Sequence, residues 1–165
     1  MAKLPKEHQF LDLSDYGRTS GHWIANQLKD TRFTPIHVTT LFVFVGLFAI
    51  GCMLNGYYKT AAVFIILKSV IDAADGELSR LNKKPSYTGR YYDSIADIIL
   101  NFCFLLAFWY VTEISIIYML LAFFGIQLQG TVYNYYYVIL RNSVEGDSTS
   151  RIFEDAAPKA LKGES

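Results

Sequence analysis

Apolar and polar positions fall in long blocks along this chain. From Val38 to Met53 the sequence is nearly uncharged and, with its flanks, long enough for a membrane span of roughly 20 residues. After the turn signal Asn55-Gly56, residues 60 to 78 (TAAVFIILKSVIDAADGEL) form a second block, apolar at its start and acidic at its end. A third runs from about Tyr91 to Val111, Glu113 marks a short turn, and a fourth (ISIIYMLLAFFGIQLQGTVYNYYYVIL) closes at Arg141. The expected fold is therefore all-α: a polytopic transmembrane helical bundle with four spans present. Ahead of it, residues 19 to 33 mix Trp23, Ile24, Leu28 and Phe33 with Lys29, Asp30 and Arg32, which predicts an amphipathic interfacial helix lying on the membrane. A short soluble helix is the plainer alternative. The tyrosine run at 133 to 137 reads as an interfacial belt.

Composition agrees with the blocks. The 165 residues are 52% hydrophobic with a mean hydropathy of +0.23, too apolar and too uneven for an ordinary soluble domain. Formal net charge is zero, so the global basic field of a nucleic-acid binder is missing and no nucleic-acid partner is expected. Cys52 and Cys103 lie in apolar stretches and read as small apolar residues. No cleavable signal is visible, because the first thirty residues carry charges without a continuous apolar core.

Lys and Arg set the orientation. Five lie in the N-terminal segment (3, 6, 18, 29, 32), four in the loop after the second block (80, 83, 84, 90) and four near the C-terminus (141, 151, 159, 162). These share one side, the opposite turns hold only Lys59, and the positive side is the cytosol.

The charges that break the apolar pattern are the candidate chemistry. Asp72 and Asp75 are three apart and Asp93 and Asp97 four apart, so each pair forms a stripe on one helix face. Gly76, Ser79 and Arg80 continue the first stripe; Gly89 begins the second, one turn before Asp93. Ionisable groups at membrane depth face a cavity or a partner. Four converging carboxylates repel one another unless a cation neutralises them, and oxygen-only donors favour Mg²⁺, Mn²⁺ or Ca²⁺. His8, His22 and His37 are scattered and make no zinc site. Two hard cations suit phosphoryl chemistry, and Arg80 can meet phosphate oxygens bidentately. Lys68, four residues before Asp72, is expected to pair with that carboxylate. Salt bridges to Lys68, Arg80 and Arg90 as helix-end anchors are the plain structural alternative, and Gly76 and Gly89 serve either helix packing or ligand room.

The run Asp72-x2-Asp75-Gly76-x2-Ser79-Arg80-x8-Gly89-x3-Asp93-x3-Asp97 resembles the signature of the CDP-alcohol phosphotransferases, also called CDP-alcohol phosphatidyltransferases. Seven of eight fixed positions match; Ser79 stands where the family usually has Ala. The resemblance implies phospholipid biosynthesis: an acceptor alcohol attacks the phosphorus of a CDP-linked donor, usually CDP-diacylglycerol, and CMP is released. It further implies two Mg²⁺ or Mn²⁺ ions on Asp72, Asp75, Asp93 and Asp97, with Asp97 also the general base. Arg80 would hold the diphosphate, and Gly76 and Ser79 would border the cytidine. Thr34-Pro35 and Thr39 resemble a family segment near the nucleotide, although Ile36 replaces an Asn common there. Arg141 and Arg151 are candidates for binding a polar or phosphorylated acceptor, with positive-inside anchoring as their alternative role.

On this reading residues 1–35 form an N-terminal cytosolic segment, 36–141 the transmembrane catalytic domain and 142–165 a polar cytosolic tail. The family typically has six spans, so a four-span chain implies truncation or two helices from elsewhere. A homodimer is implied by the resemblance alone. The site is expected to face the cytosol of a bacterial plasma membrane, with an endoplasmic-reticulum location left open. The competing readings are a divalent-cation carrier or channel and a catalytically incomplete fragment that only binds CDP-lipid and metal. Intramembrane prenyltransferases also use aspartate-rich helices, but with two separated motifs.

Overall fold

The computed structural model describes residues 17–31, 33–81 and 87–144; Arg151, most of the loop after Leu81, the first sixteen residues and the tail beyond Val144 lie outside them. Every regular element among the described residues is a helix: α1 (Arg18–Leu28), α2 (Pro35–Leu54), α3 (Tyr58–Leu81), α4 (Tyr87–Thr112) and α5 (Ile116–Ser143). Among the described residues three segments are long and apolar enough to cross a membrane, namely Pro35–Leu54, Tyr91–Thr112 and Ile116–Ser143. The fourth expected span lies within α3. Its 24 residues would rise about 36 Å at 1.5 Å each, enough to cross. Lys68, near its middle, and Asp72, Asp75 and Glu77 in its second half make it too polar to stand among the other three.

Local chemistry accounts for the boundaries. Pro35 opens α2 at a first-turn position where its missing N–H costs nothing. The backbone N–H of Thr34 donates to His37 Nδ1 at 3.2 Å, which makes that nitrogen an acceptor, and the Thr34 hydroxyl donates to it at 2.6 Å. The α2–α3 turn uses Gly56 at φ 79°, a left-handed conformation that glycine adopts without penalty. At the α4–α5 turn Glu113 sits at φ 54° and Ser115 caps α5, accepting from Ile117 N at 3.4 Å.

Helices α2, α3 and α4 form the packed centre, α1 lies against α3, and α5 packs only on α4 among the described elements. Phe42, Leu78 and Leu100 are the largest fully buried apolar side chains, joined by Ala25, Val38, Ile71 and Ala96 in one core. Close approach between α2 and α4 depends on Gly46, where a Cβ would meet Leu100 Cδ1 and Cδ2 at 3.0 Å. Between α1 and α3 it depends on Gly21, where a Cβ would lie 2.9 Å from backbone atoms of Ala73 and Ala74. Trp23 points away from that seam and is exposed. Phe48 meets Phe64 at a tilt of 58° between α2 and α3, and Phe102 meets Phe123 edge-on between α4 and α5. Outward positions such as Phe44, Leu47, Val63, Ile99 and Leu121 stay exposed, as expected where lipid rather than water is the solvent.

Candidate functional site

Alternating chain direction brings four helix ends together: the starts of α2 and α4 and the ends of α3 and α5. The two aspartate stripes meet at that end, on the core-facing sides of α3 and α4. Ala74 and Ala96, next to Asp75 and Asp97, are both buried.

Asp75 is 6% exposed, and its Oδ2 accepts from the hydroxyl of Thr39, which is fully buried, at 2.5 Å. That hydroxyl also lies 3.1 Å from Pro35 O, within its own helix. Asp97 is held at both oxygens. Lys68 Nζ donates to Oδ1 from α3, and Asn101 Nδ2 donates to Oδ2 at 3.1 Å from one turn further along α4. Lys68 is buried, with its ammonium 5.1 Å from the Phe42 ring centroid, a cation–π contact. The lysine assigned by spacing to Asp72 thus reaches across to α4. Asp93 completes the set: its Oδ1 is buried without a hydrogen-bond partner among the described residues. The charges of Asp72, Asp75, Asp97 and Lys68 all act on it.

Four carboxylates and one ammonium leave a formal excess of three negative charges around Asp93. A buried carboxylate oxygen without a donor is costly, and hard divalent cations are the partners that oxygen-only donor sets favour. The residues therefore fit such an ion chemically. No three of the described His, Cys, Asp or Glu side chains converge closely enough to hold one as they stand. The hydrogen bonds give the reason: Asp75 is drawn to Thr39, and Asp97 to Lys68 and Asn101.

Beside the carboxylates, Arg80 Nε and Nη2 donate to Glu77 Oε2 at 3.1 and 2.5 Å. From α1, His22 Nδ1 lies 2.9 Å from the other Glu77 oxygen. Gly76 is not a helix-packing glycine. Among the described residues a Cβ there would meet only the Arg80 guanidinium, at 3.6 and 3.8 Å. Ser79 is half-buried on the same helix, and Thr34 is exposed with its hydroxyl used at the start of α2. Gly89 is buried at the start of α4.

Arg141 ends α5, and the antiparallel α4–α5 hairpin returns it to the end where α4 begins. Anchoring at a membrane surface would leave its guanidinium exposed. It is instead 6% exposed, with Nε and Nη2 buried and without hydrogen-bond partners among the described residues.

Sequence reading missed Asn101, Glu77 and His22. Asn101 continues the four-residue stripe of Asp93 and Asp97, and Glu77 is three residues before Arg80, so both carried a helical signal. His22 carried none, because its contact spans 55 residues.

Residues 32–151 match the CDP-alcohol phosphatidyltransferase family. Among curated proteins, the Bifunctional IPC transferase and DIPP synthase of Aquifex aeolicus (strain VF5) is 33% identical over 78 residues, 46% of this chain. The match spans 18% of that relative's length.

Proposed function

This chain belongs to the CDP-alcohol phosphatidyltransferase family, and from that membership we propose that it transfers a substituted phosphate group from a CDP-linked donor, such as CDP-diacylglycerol, to an alcohol. The family generally uses divalent metals, and the chain is an integral membrane protein by its apolar helices. The observation that carries the reading is Asp93, a half-buried carboxylate whose buried Oδ1 has no hydrogen-bond partner among the described residues and which feels the charges of three other aspartates.

Asp72, Asp75, Asp93 and Asp97 would hold two Mg²⁺ or Mn²⁺ ions. Bound there, such ions supply charge neutralisation for a diphosphate and for the leaving oxygen. The chain's own residues do the rest. Arg80 holds the diphosphate with the donors left outside its pair with Glu77. Gly76 leaves space beside that guanidinium, so that Gly76 and Ser79 border the cytidine while Thr34, Pro35 and Thr39 close the neighbouring end of α2. Lys68 and Asn101 orient Asp97, whose carboxylate takes the acceptor hydroxyl proton. The acceptor oxygen forms the new bond to phosphorus, the bond to the CMP oxygen breaks, and CMP leaves with that electron pair. Arg141, a buried cation with two unpartnered nitrogens among the described residues, suits an acceptor bearing phosphate or another anionic group. The site faces the cytosol, where CDP-linked donors and divalent cations meet.

The test is exchange of labelled CMP into CDP-diacylglycerol by protein purified in detergent, with and without Mg²⁺ or Mn²⁺. It is run with a panel of acceptor alcohols present, because direct displacement exchanges CMP only by reversal from the alcohol-linked product. Asp93→Asn and Asp97→Asn are expected to lower the metal-dependent rate by about 10²–10⁴-fold. Undiminished exchange in both variants would remove the catalytic assignment. Metal flux across liposomes lacking any CDP-lipid would favour a carrier instead. A panel of alcohols offered with CDP-diacylglycerol, read by product mass, identifies the acceptor.

A further inference from the structure

Arginine side chains are long and flexible, and a guanidinium that meets a diphosphate bidentately gains from being held in place beforehand. Arg80 is so held. Its Nε and Nη2 edge donates to one oxygen of Glu77, while its other side lies over Gly76, where no side chain intervenes. The Glu77 and Arg80 side chains are only 13% and 16% exposed, so solvent competes weakly for the pair. The second Glu77 oxygen is taken by His22 Nδ1 at 2.9 Å, from a helix that precedes the bundle. Helix α1 reaches this position because Gly21, adjacent to His22, lets its backbone rest on Ala73 and Ala74. The contacts form one line: α1 seat, His22, Glu77, Arg80.

We propose that Glu77 is a positioning residue for Arg80, presenting its free guanidinium edge to the diphosphate of a CDP-linked donor, and that α1 is part of this unit through His22. The inference rests on the reading of Arg80 as a diphosphate ligand. The geometry favours positioning over competition because Glu77 engages the Nε edge and leaves both Nη1 donors outside the pair. His22 makes a smaller contribution, since its side chain is 53% exposed.

The experiment is a binding cycle on the purified protein in detergent with Mg²⁺, using CDP-diacylglycerol as probe. Glu77→Ala is expected to raise Kd about tenfold, the scale of one charge-assisted hydrogen bond, with Glu77→Asp recovering part of the loss. His22→Ala is expected to raise Kd roughly threefold, as a half-exposed contact would. The decisive variant is Glu77→Ala combined with Arg80→Ala, which should bind no more weakly than Arg80→Ala alone. A merely structural role for Glu77 predicts a further loss in that background, and additive losses would overturn the proposal. So would a Glu77→Ala protein that binds as well as or better than wild type while Arg80→Ala is weakened, since Glu77 would then compete with the ligand. An Arg80→Ala protein with wild-type affinity would instead sink the diphosphate assignment on which the inference stands.

Discussion

Replacing Gly21 by Ala adds one methyl group where the structure has no room for it. The new Cβ would lie 2.9 Å from Ala73 C and Ala74 N and 3.0 Å from Ala73 Cβ. Ordinary contact begins near 3.4 Å, so α1 must retreat by roughly 0.5 Å. The obstructing atoms are mainly backbone of α3, a helix pinned in the core by Ile71 and Leu78, so they do not yield. Helix α1 is the mobile partner, because it has 11 residues and among the described elements packs only on α3. Overpacking of this kind costs about 1–3 kcal/mol, which here is subtracted from the docking of α1. Amide hydrogen exchange across α1 should therefore accelerate about 5- to 150-fold, while the centre of α2 keeps its protection. The controls are Gly51→Ala and Gly130→Ala, where a Cβ meets none of the described residues within 4 Å. Both should be neutral or slightly stabilising, by up to about 1 kcal/mol from helix propensity. Unchanged exchange in Gly21→Ala would mean that α1 is not seated on α3 through this glycine, and the line from His22 to Arg80 would lose its anchor.

Thr39→Val keeps the shape of a fully buried residue but strips Asp75 of its hydroxyl donor; a loss of about 1.5–3 kcal/mol in detergent thermal stability without metal is expected, and a smaller loss with Mn²⁺ present. Lys68→Met removes the ammonium bound to Asp97. The metal-free protein should lose about 1–3 kcal/mol, less than a fully buried pair because the Asp97 side chain is 43% exposed, and the thermal shift on adding Mn²⁺ should grow. An unaltered Mn²⁺ response would show that Lys68 and the ion do not act on the same carboxylates. Arg141→Met should raise KM for an anionic acceptor at least tenfold and leave CDP-diacylglycerol affinity unchanged. Equal weakening of donor and acceptor would place Arg141 outside the acceptor site.

The parts of the structure set by local pattern were legible in the sequence. The apolar blocks became α2, α4 and α5, Asn55-Gly56 and Glu113 became turns, and each aspartate pair lies along one helix, because these features depend on short spacings. Membership of the family was legible for the same reason: its signature is a set of fixed gaps. What was hidden depends on which helix faces which. Nothing near Lys68 says that it will cross to Asp97 rather than serve only its own helix, 29 residues separating the partners. Thr39 and Asp75 are 36 apart. The amphipathic character of residues 19 to 33 was visible, but not that Gly21 seats α1 beside the site, because a glycine's value to packing appears only with its neighbour in place.

The polarity that separates α3 from the three apolar spans also explains why the bundle has its particular centre. A helix carrying Lys68, Asp72, Asp75 and Glu77 is poorly suited to hydrocarbon by itself, so its polar half must be enclosed by protein. The structure meets it with α1 through small residues, with α2 through Thr39 and Phe42, and with α4 through Asp97, which accepts from Lys68. Each neighbour satisfies part of the charge, yet Asp93 Oδ1 is left over. Among the described residues, the buried acidic oxygen without a hydrogen bond is therefore the one where the two stripes meet. A protein optimised only for stability would remove that oxygen, and Asp93→Leu tests the point. It should raise the thermal midpoint without metal while abolishing CMP exchange, since the buried carboxylate is then a liability of the empty site and a requirement of the loaded one. A drop in the midpoint together with intact exchange would reverse both halves of that assignment.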